Sequence, residues 1–144
     1  MLDFNVKQLK LENVFTSSRA VGTSKLNLFS GRSMLGPPTN IRKTAEDVCW
    51  VPLEVIAKPH LSRGQRGIIK IDVEGNELDV IKSAGNLQLY KNCIWLIERH
   101  LKRDDFGEII LGYEEEALID VMTPFFEGER VGKRLWTSHY VFRA

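Results

Sequence analysis

Two groups of ionisable residues carry the chemistry this sequence can offer. Asp72 and Glu74 end the string IIKIDVEG, and Glu98, Arg99 and His100 end the string IWLIERH. If both strings are strands of an open α/β sheet, these residues sit at carboxyl ends, where ligands collect. Residues i and i+2 of a strand share a face, so Lys70, Asp72 and Glu74 share one side while Ile69, Ile71 and Val73 pack on the other. Three charges on an inner strand are costly unless they pair or open onto a ligand crevice. A structural use competes: Lys70 pairs with Asp72, Glu74 caps loop N–H groups, and His100 packs or faces solvent rather than taking a proton. Arg99, Lys102 and Arg103 read as a small solvated basic cluster, too short for a nucleic-acid patch.

The elements that must position these groups are legible mainly after residue 66. Ile68–Val73 is rich in β-branched residues and reads as a strand broken by Gly75. Asn76 is placed to cap a following helix, with Glu77 and Asp79 in its first turn, Leu78 and Ile81 on one face and Gly85 after its end. Cys93–Glu98 is almost wholly apolar, as a strand covered on both faces should be. Tyr113–Phe126 opens with three acids and places Ala117, Leu118, Val121 and Met122 at helical spacing, with Pro124 near its end. Gly128–Trp136 and Ser138–Phe142 read as a closing hairpin.

Before residue 66 the signals are weaker. Leu2–Leu11 reads as the end of a helix, Asn13–Val21 as a strand stopping at Gly22, and Lys25–Phe29 as a short strand. Gly31–Asn40 is a loop by its Gly and Pro content, and Val48–Val51 is a strand that Pro52 limits to an edge or an end. Strand, helix, strand, helix and hairpin together predict an α/β domain with parallel strands and a helix-covered face.

The 144 residues suffice for one domain with a hydrophobic core, and 43% apolar with 27% charged residues argues against disorder. A net charge of +1 gives no ground for nucleic acid or an acidic membrane as partner. Cys49 and Cys93 match no metal spacing and read as inert thiols in a reducing cytoplasm. No apolar stretch is long enough to span a bilayer, and no signal-peptide core opens the chain. The expectation is a soluble, cytoplasmic protein.

The string IIKIDVEGNELDVIKSA (Ile68–Ala84) resembles the signature of the FkbM family of S-adenosylmethionine-dependent methyltransferases. Ile94–His100 (IWLIERH) is similar to the strand with a terminal glutamate that follows in that family. Asn13–Gly22 (NVFTSSRAVG) resembles its third strand and Ala-Val-Gly turn, and Val51–Val55 (VPLEV) looks like a degraded Thr-Leu-Asp segment. The resemblance implies a Rossmann-like class I methyltransferase sheet with a C-terminal antiparallel hairpin. It implies methyl transfer from S-adenosylmethionine to a hydroxyl of a sugar or other small metabolite. Ala20, Val21 and Asp72 are then the expected cofactor-side residues. Asp72 or His100 is the expected general base, with Glu74 and Glu98 orienting the acceptor or the cofactor's amino group.

The family's glycine-bearing loop after its first strand, and the acid after its second, find no counterpart. No Gly-x-Gly pattern occurs in the sequence. The expectation is therefore one truncated domain over residues 1–144, with one wall of a cleft and Ile68–Val73 exposed as an apolar edge. Such an edge invites a second copy or a separately supplied front half as partner. A decayed domain kept as a non-catalytic interaction module is the alternative. A divalent cation held by Asp72 and Glu74 would serve phosphoryl transfer, but no Glu-x-Lys follows the pair to complete such a site.

Overall fold

A computed structural model describes residues 8–9, 14, 16–17, 19–23, 50–61 and 66–144. The strand expected over Lys25–Phe29 and the loop over Gly31–Asn40 lie outside the described residues, as does Cys49. So does nearly all of Leu2–Leu11, of which only Gln8 and Leu9 are described.

The chain is a mixed α/β structure. Two short strands, β1 (Ala20–Val21) and β2 (Trp50–Val51), pair in parallel, and Pro52 follows β2 directly, where its missing N–H costs the ladder nothing. Helix α1 (Leu53–Leu61) comes next, then β3 (Gly67–Ile71), α2 (Glu77–Lys82), a 3₁₀ turn (Leu87–Tyr90) and the long strand β4 (Cys93–Arg103). β5 (Ile109–Gly112), α3 (Glu115–Met122), β6 (Glu127–Lys133) and β7 (Thr137–Arg143) complete the order. The second sheet has five strands, with the path β3-β4-β7-β6 and β5 attached to β4. β3 and β4 are parallel, with Ile71 opposite Ile97, whereas β7 runs antiparallel to both β4 and β6.

Three differences from the sequence reading have physical causes. β3 ends at Ile71, so Asp72 and Val73 lie beyond the ladder, and Glu74 adopts a left-handed φ of 48° that turns the chain toward α2. A non-glycine residue there costs about 1–2 kcal/mol. β4 runs five residues past Glu98, because β7 pairs with it as far as His100 and β5 from Leu101 onward. Helix α1 occupies Leu53–Leu61, where the sequence reading assigned no element, and tertiary contacts hold its start. The backbone N–H of Leu53 donates to Ser83 Oγ at 3.0 Å and that of Glu54 to the Ser83 carbonyl at 3.2 Å, so the end of α2 satisfies the start of α1.

The core lies between the sheet and helices α2 and α3. Trp95, Ile97, Tyr140 and Phe142 from the strands meet Ile81, Leu118 and Met122 from the helices and Ala84 just past α2, all of them buried. Alternation along β7 places Ser138, Tyr140 and Phe142 inward. Gly128 on β6 leaves the space in which the Phe142 ring lies, since a Cβ there would overlap the ring. Gly85 takes a φ of 66° after α2, the left-handed turn expected of it. Asn76 occupies the N-cap position but makes no side-chain cap bond. Glu77 Oε1 accepts from Gly75 N at 2.9 Å instead.

Candidate functional site

Parallel pairing of β3 with β4 sets Asp72, just past Ile71, beside Glu98, just past Ile97. Because β4 stays regular, Glu98 and His100 share a face. His100 Nε2 lies 3.9 Å from Asp72 Oδ1 and 4.0 Å from Glu98 Oε1. Both separations exceed a hydrogen bond, so among the described residues Nε2 has carboxylate neighbours at ion-pair distance but no hydrogen-bond partner. Lys70 Nζ bonds Asp72 Oδ2 at 3.0 Å, which raises the lysine's pKa through that hydrogen bond and the carboxylate charge. His139 Nδ1 stands 4.0 Å from Glu98 Oε2.

Behind the imidazole lies a residue the sequence reading assigned only to the helix dipole. Glu77 has no exposed surface, and its Oε1 stands 2.7 Å from His100 Nδ1. A carboxylate only accepts, so Nδ1 donates, and in the neutral imidazole Nε2 then carries the lone pair. A signal for this existed. Glu77 and Ile81 fall at i and i+4 on α2, and both are fully buried, so the acid heads the helix's apolar face.

A second layer encloses this pair. The hydroxyl of Tyr113 and Oε2 of Glu77 are buried without a hydrogen-bond partner. Burial first, and the Glu77 carboxylate second, push the Tyr113 phenol far above its usual range. Arg99, expected to be solvated, is buried instead, and its Nη1 donates to the Tyr113 carbonyl at 2.6 Å. Three of the four expected catalytic residues thus come together: Asp72, Glu98 and His100. Glu74 does not join them. It is exposed on its left-handed turn and makes no hydrogen bond or ion pair with the described residues.

One ligand atom each from Asp72, Glu98 and His100 fall within 4.8 Å of one another, close enough for a divalent cation to bridge. Glu74, half of the pair first considered for a cation, is not part of that group.

Of the expected cofactor-side residues, Ala20 and Val21 line a cavity of about 400 Å³ together with Arg19, Trp50, Ile69, Lys70, Ile71 and Val80. Asp72 is not among the lining residues. The cavity lies between the β1–β2 pair and β3, whose one strand partner among the described residues is β4, and its walls are chiefly apolar.

Mixed α/β architecture, with Asp72 just past the end of β3 and Glu98 and His100 on the parallel neighbour β4, is consistent with a methyltransferase-like fold. A family model described as the methyltransferase FkbM domain matches residues 9–133, and the chain belongs to that family. No curated protein and no solved structure gave a match. Among the described residues no helix is long and apolar enough to cross a membrane.

Proposed function

We propose that this domain transfers the methyl group of S-adenosylmethionine to a hydroxyl of a sugar or other small metabolite, with His100 as the proton acceptor. The observation that carries the reading is the 2.7 Å contact between His100 Nδ1 and the wholly buried Glu77. A base oriented by a buried carboxylate, with no hydrogen-bond partner on its other nitrogen among the described residues, is the arrangement that removes a proton from a weakly acidic hydroxyl.

The acceptor's chemistry follows from the neighbours. A hydroxyl has one proton to give, and Nε2 takes it. Asp72 and Glu98, at 3.9 and 4.0 Å from Nε2, then accept from adjacent hydroxyls of the same molecule, which suits a polyol. The proton taken up makes an imidazolium that Glu77, Asp72 and Glu98 all stabilise. Lys70 holds Asp72 in place.

Membership of the family favours S-adenosylmethionine as donor. When bound, it supplies an electrophilic methyl carbon on a sulfonium. The chiefly apolar cavity beside Ala20 and Val21 fits its adenosine end, and about 400 Å³ lies within the usual range of small-molecule pockets. The antiparallel β7 between β4 and β6 supports reading the large sheet as the rear part of a Rossmann-like class I methyltransferase sheet. Since the sequence has no Gly-x-Gly pattern, these residues are assigned one wall of the cleft, and the glycine-bearing wall to another segment.

Isotope transfer tests the reading. The protein is incubated with S-adenosylmethionine labelled in its methyl group and a panel of sugars. Label should enter an acceptor with wild type and not with His100→Ala. Equal labelling by the two would remove His100 from the chemistry, and no labelling under any condition would leave the non-catalytic interaction module as the better account.

A further inference from the structure

Helix α2 holds a second segment besides His100. Asp79, two residues after Glu77, reaches the turn that follows β1. The backbone N–H of Thr23 donates to Asp79 Oδ2 at 2.9 Å, and the Thr23 hydroxyl donates to Oδ1. Both carboxylate oxygens are thus committed to one residue 56 positions away in sequence.

Gly22 makes that approach sterically feasible. A Cβ at Gly22 would overlap Asp79 Oδ2 and would also meet the Trp50 ring at 3.4 Å. The Gly22 N–H donates to the Val51 carbonyl at 3.1 Å, so the turn is tied to β2 as well as to α2. Thr23 is exposed, and bonds at an exposed residue add little to global stability. What they do is fix where the turn lies.

We propose that Asp79 is a positioning residue for the cofactor site, an inference that rests on the reading above. By clamping Gly22 and Thr23 it holds Ala20 and Val21 as the fixed wall of the cavity. Residues two apart on a helix leave it about 200° apart. Glu77 therefore serves the acceptor side and Asp79 the cofactor side of one short helix, which sets the spacing between the two.

Calorimetric titration of the full chain with S-adenosylmethionine tests this, comparing wild type with Asp79→Ala, Asp79→Asn and Thr23→Ala. Asp79→Ala should weaken affinity on the order of tenfold, the scale of losing charge-assisted hydrogen bonds. Asp79→Asn, which keeps one carbonyl acceptor, should recover most of it, and Thr23→Ala should fall between. Thermal midpoints should stay close to wild type, and amide exchange at Thr23 should quicken in Asp79→Ala. If wild type binds and the variants bind equally well, the inference fails while the cofactor reading stands. Loss of affinity only in step with loss of the folded state, in Asp79→Asn and Thr23→Ala as in Asp79→Ala, also overturns it. A wild-type chain that gives no heat with S-adenosylmethionine removes the cofactor reading and this inference together.

Discussion

His100 on β4 and Glu77 at the head of α2 are 23 residues apart in sequence and 2.7 Å apart in space, and the carboxylate of the pair has no contact with solvent. A buried carboxylate is tolerated only when hydrogen-bonded, and here the imidazole and the Gly75 N–H supply the bonds to Oε1. The relationship fixes the tautomer of the ring and aims Nε2 at Asp72 and Glu98.

Replacing His100 by Ala should therefore lower the rate of methyl transfer by about 10²–10⁴, the usual range for a lost general base. Glu77→Gln should also lower the rate while leaving binding of S-adenosylmethionine unchanged. Single-turnover transfer of labelled methyl, read beside cofactor titration, separates the two effects. A Glu77→Gln protein of wild-type rate would show that the carboxylate only fills the core.

Much of this site could be read from residue types and spacing, and the unread parts share one cause. Asp72, Glu98 and His100 stood out because strand alternation and parallel pairing are local rules that the core after residue 66 obeys. β3 ended two residues early and β4 ran five residues late because their limits depend on which neighbours pair with them, as β5 and β7 do with β4. Glu77 looked like an acid favouring the helix dipole until the helix was seen to bury it. Helix α1 carried only modest cues, Glu54 in its first turn and Lys58 and His60 in its last, and the group that holds its start, Ser83, is 30 residues away.

That dependence can be measured. Ser83 Oγ accepts from Leu53 N and donates to the Val80 carbonyl at 2.6 Å, linking the start of α1 to the end of α2. Ser83→Ala should cost about 1–2 kcal/mol, the scale of a lost helix cap. Hydrogen exchange should quicken first at Leu53, before the strands are affected. Uniform loss of protection across the sheet would contradict the local role.

Gly128 is a packing prediction of the opposite kind. A methyl group there would occupy the space of the Phe142 ring, which is fully buried and stacks against Tyr140 with centroids 6.2 Å apart. Gly128→Ala should destabilise the domain by about 1–3 kcal/mol through overpacking. Denaturant unfolding with an unchanged m-value and a lower midpoint is the expected record. An unchanged midpoint would mean that β6 shifts freely.

All three tyrosines have phenols held above their ordinary pKa of 10.0, chiefly by burial. The folded state therefore binds these protons more tightly than the unfolded state does. Their contribution to stability is fully present below pH 10 and is lost as pH rises above it toward the folded values. Alkaline titration followed by absorbance should show little tyrosinate until the protein unfolds, with both changes coincident. A phenol that ionises early, with the fold intact, would place that residue in water.

The edge of β3 away from β4 leads to the last expectation. Ile68 is 69% exposed, and among the described residues β3 pairs only with β4, leaving its other side without a strand. An unpaired edge carrying exposed apolar residues pairs readily with another chain unless charge opposes it, and Lys70 is the charge present on this strand. Self-association through this edge is therefore expected at high concentration. Ile68→Lys should suppress it, because a second cation two residues from Lys70 would face its copy across the new ladder. Light scattering over a dilution series distinguishes the outcomes. A monomer at every concentration in wild type would mean that the edge is covered, and association unaltered by Ile68→Lys would place the contact on another surface.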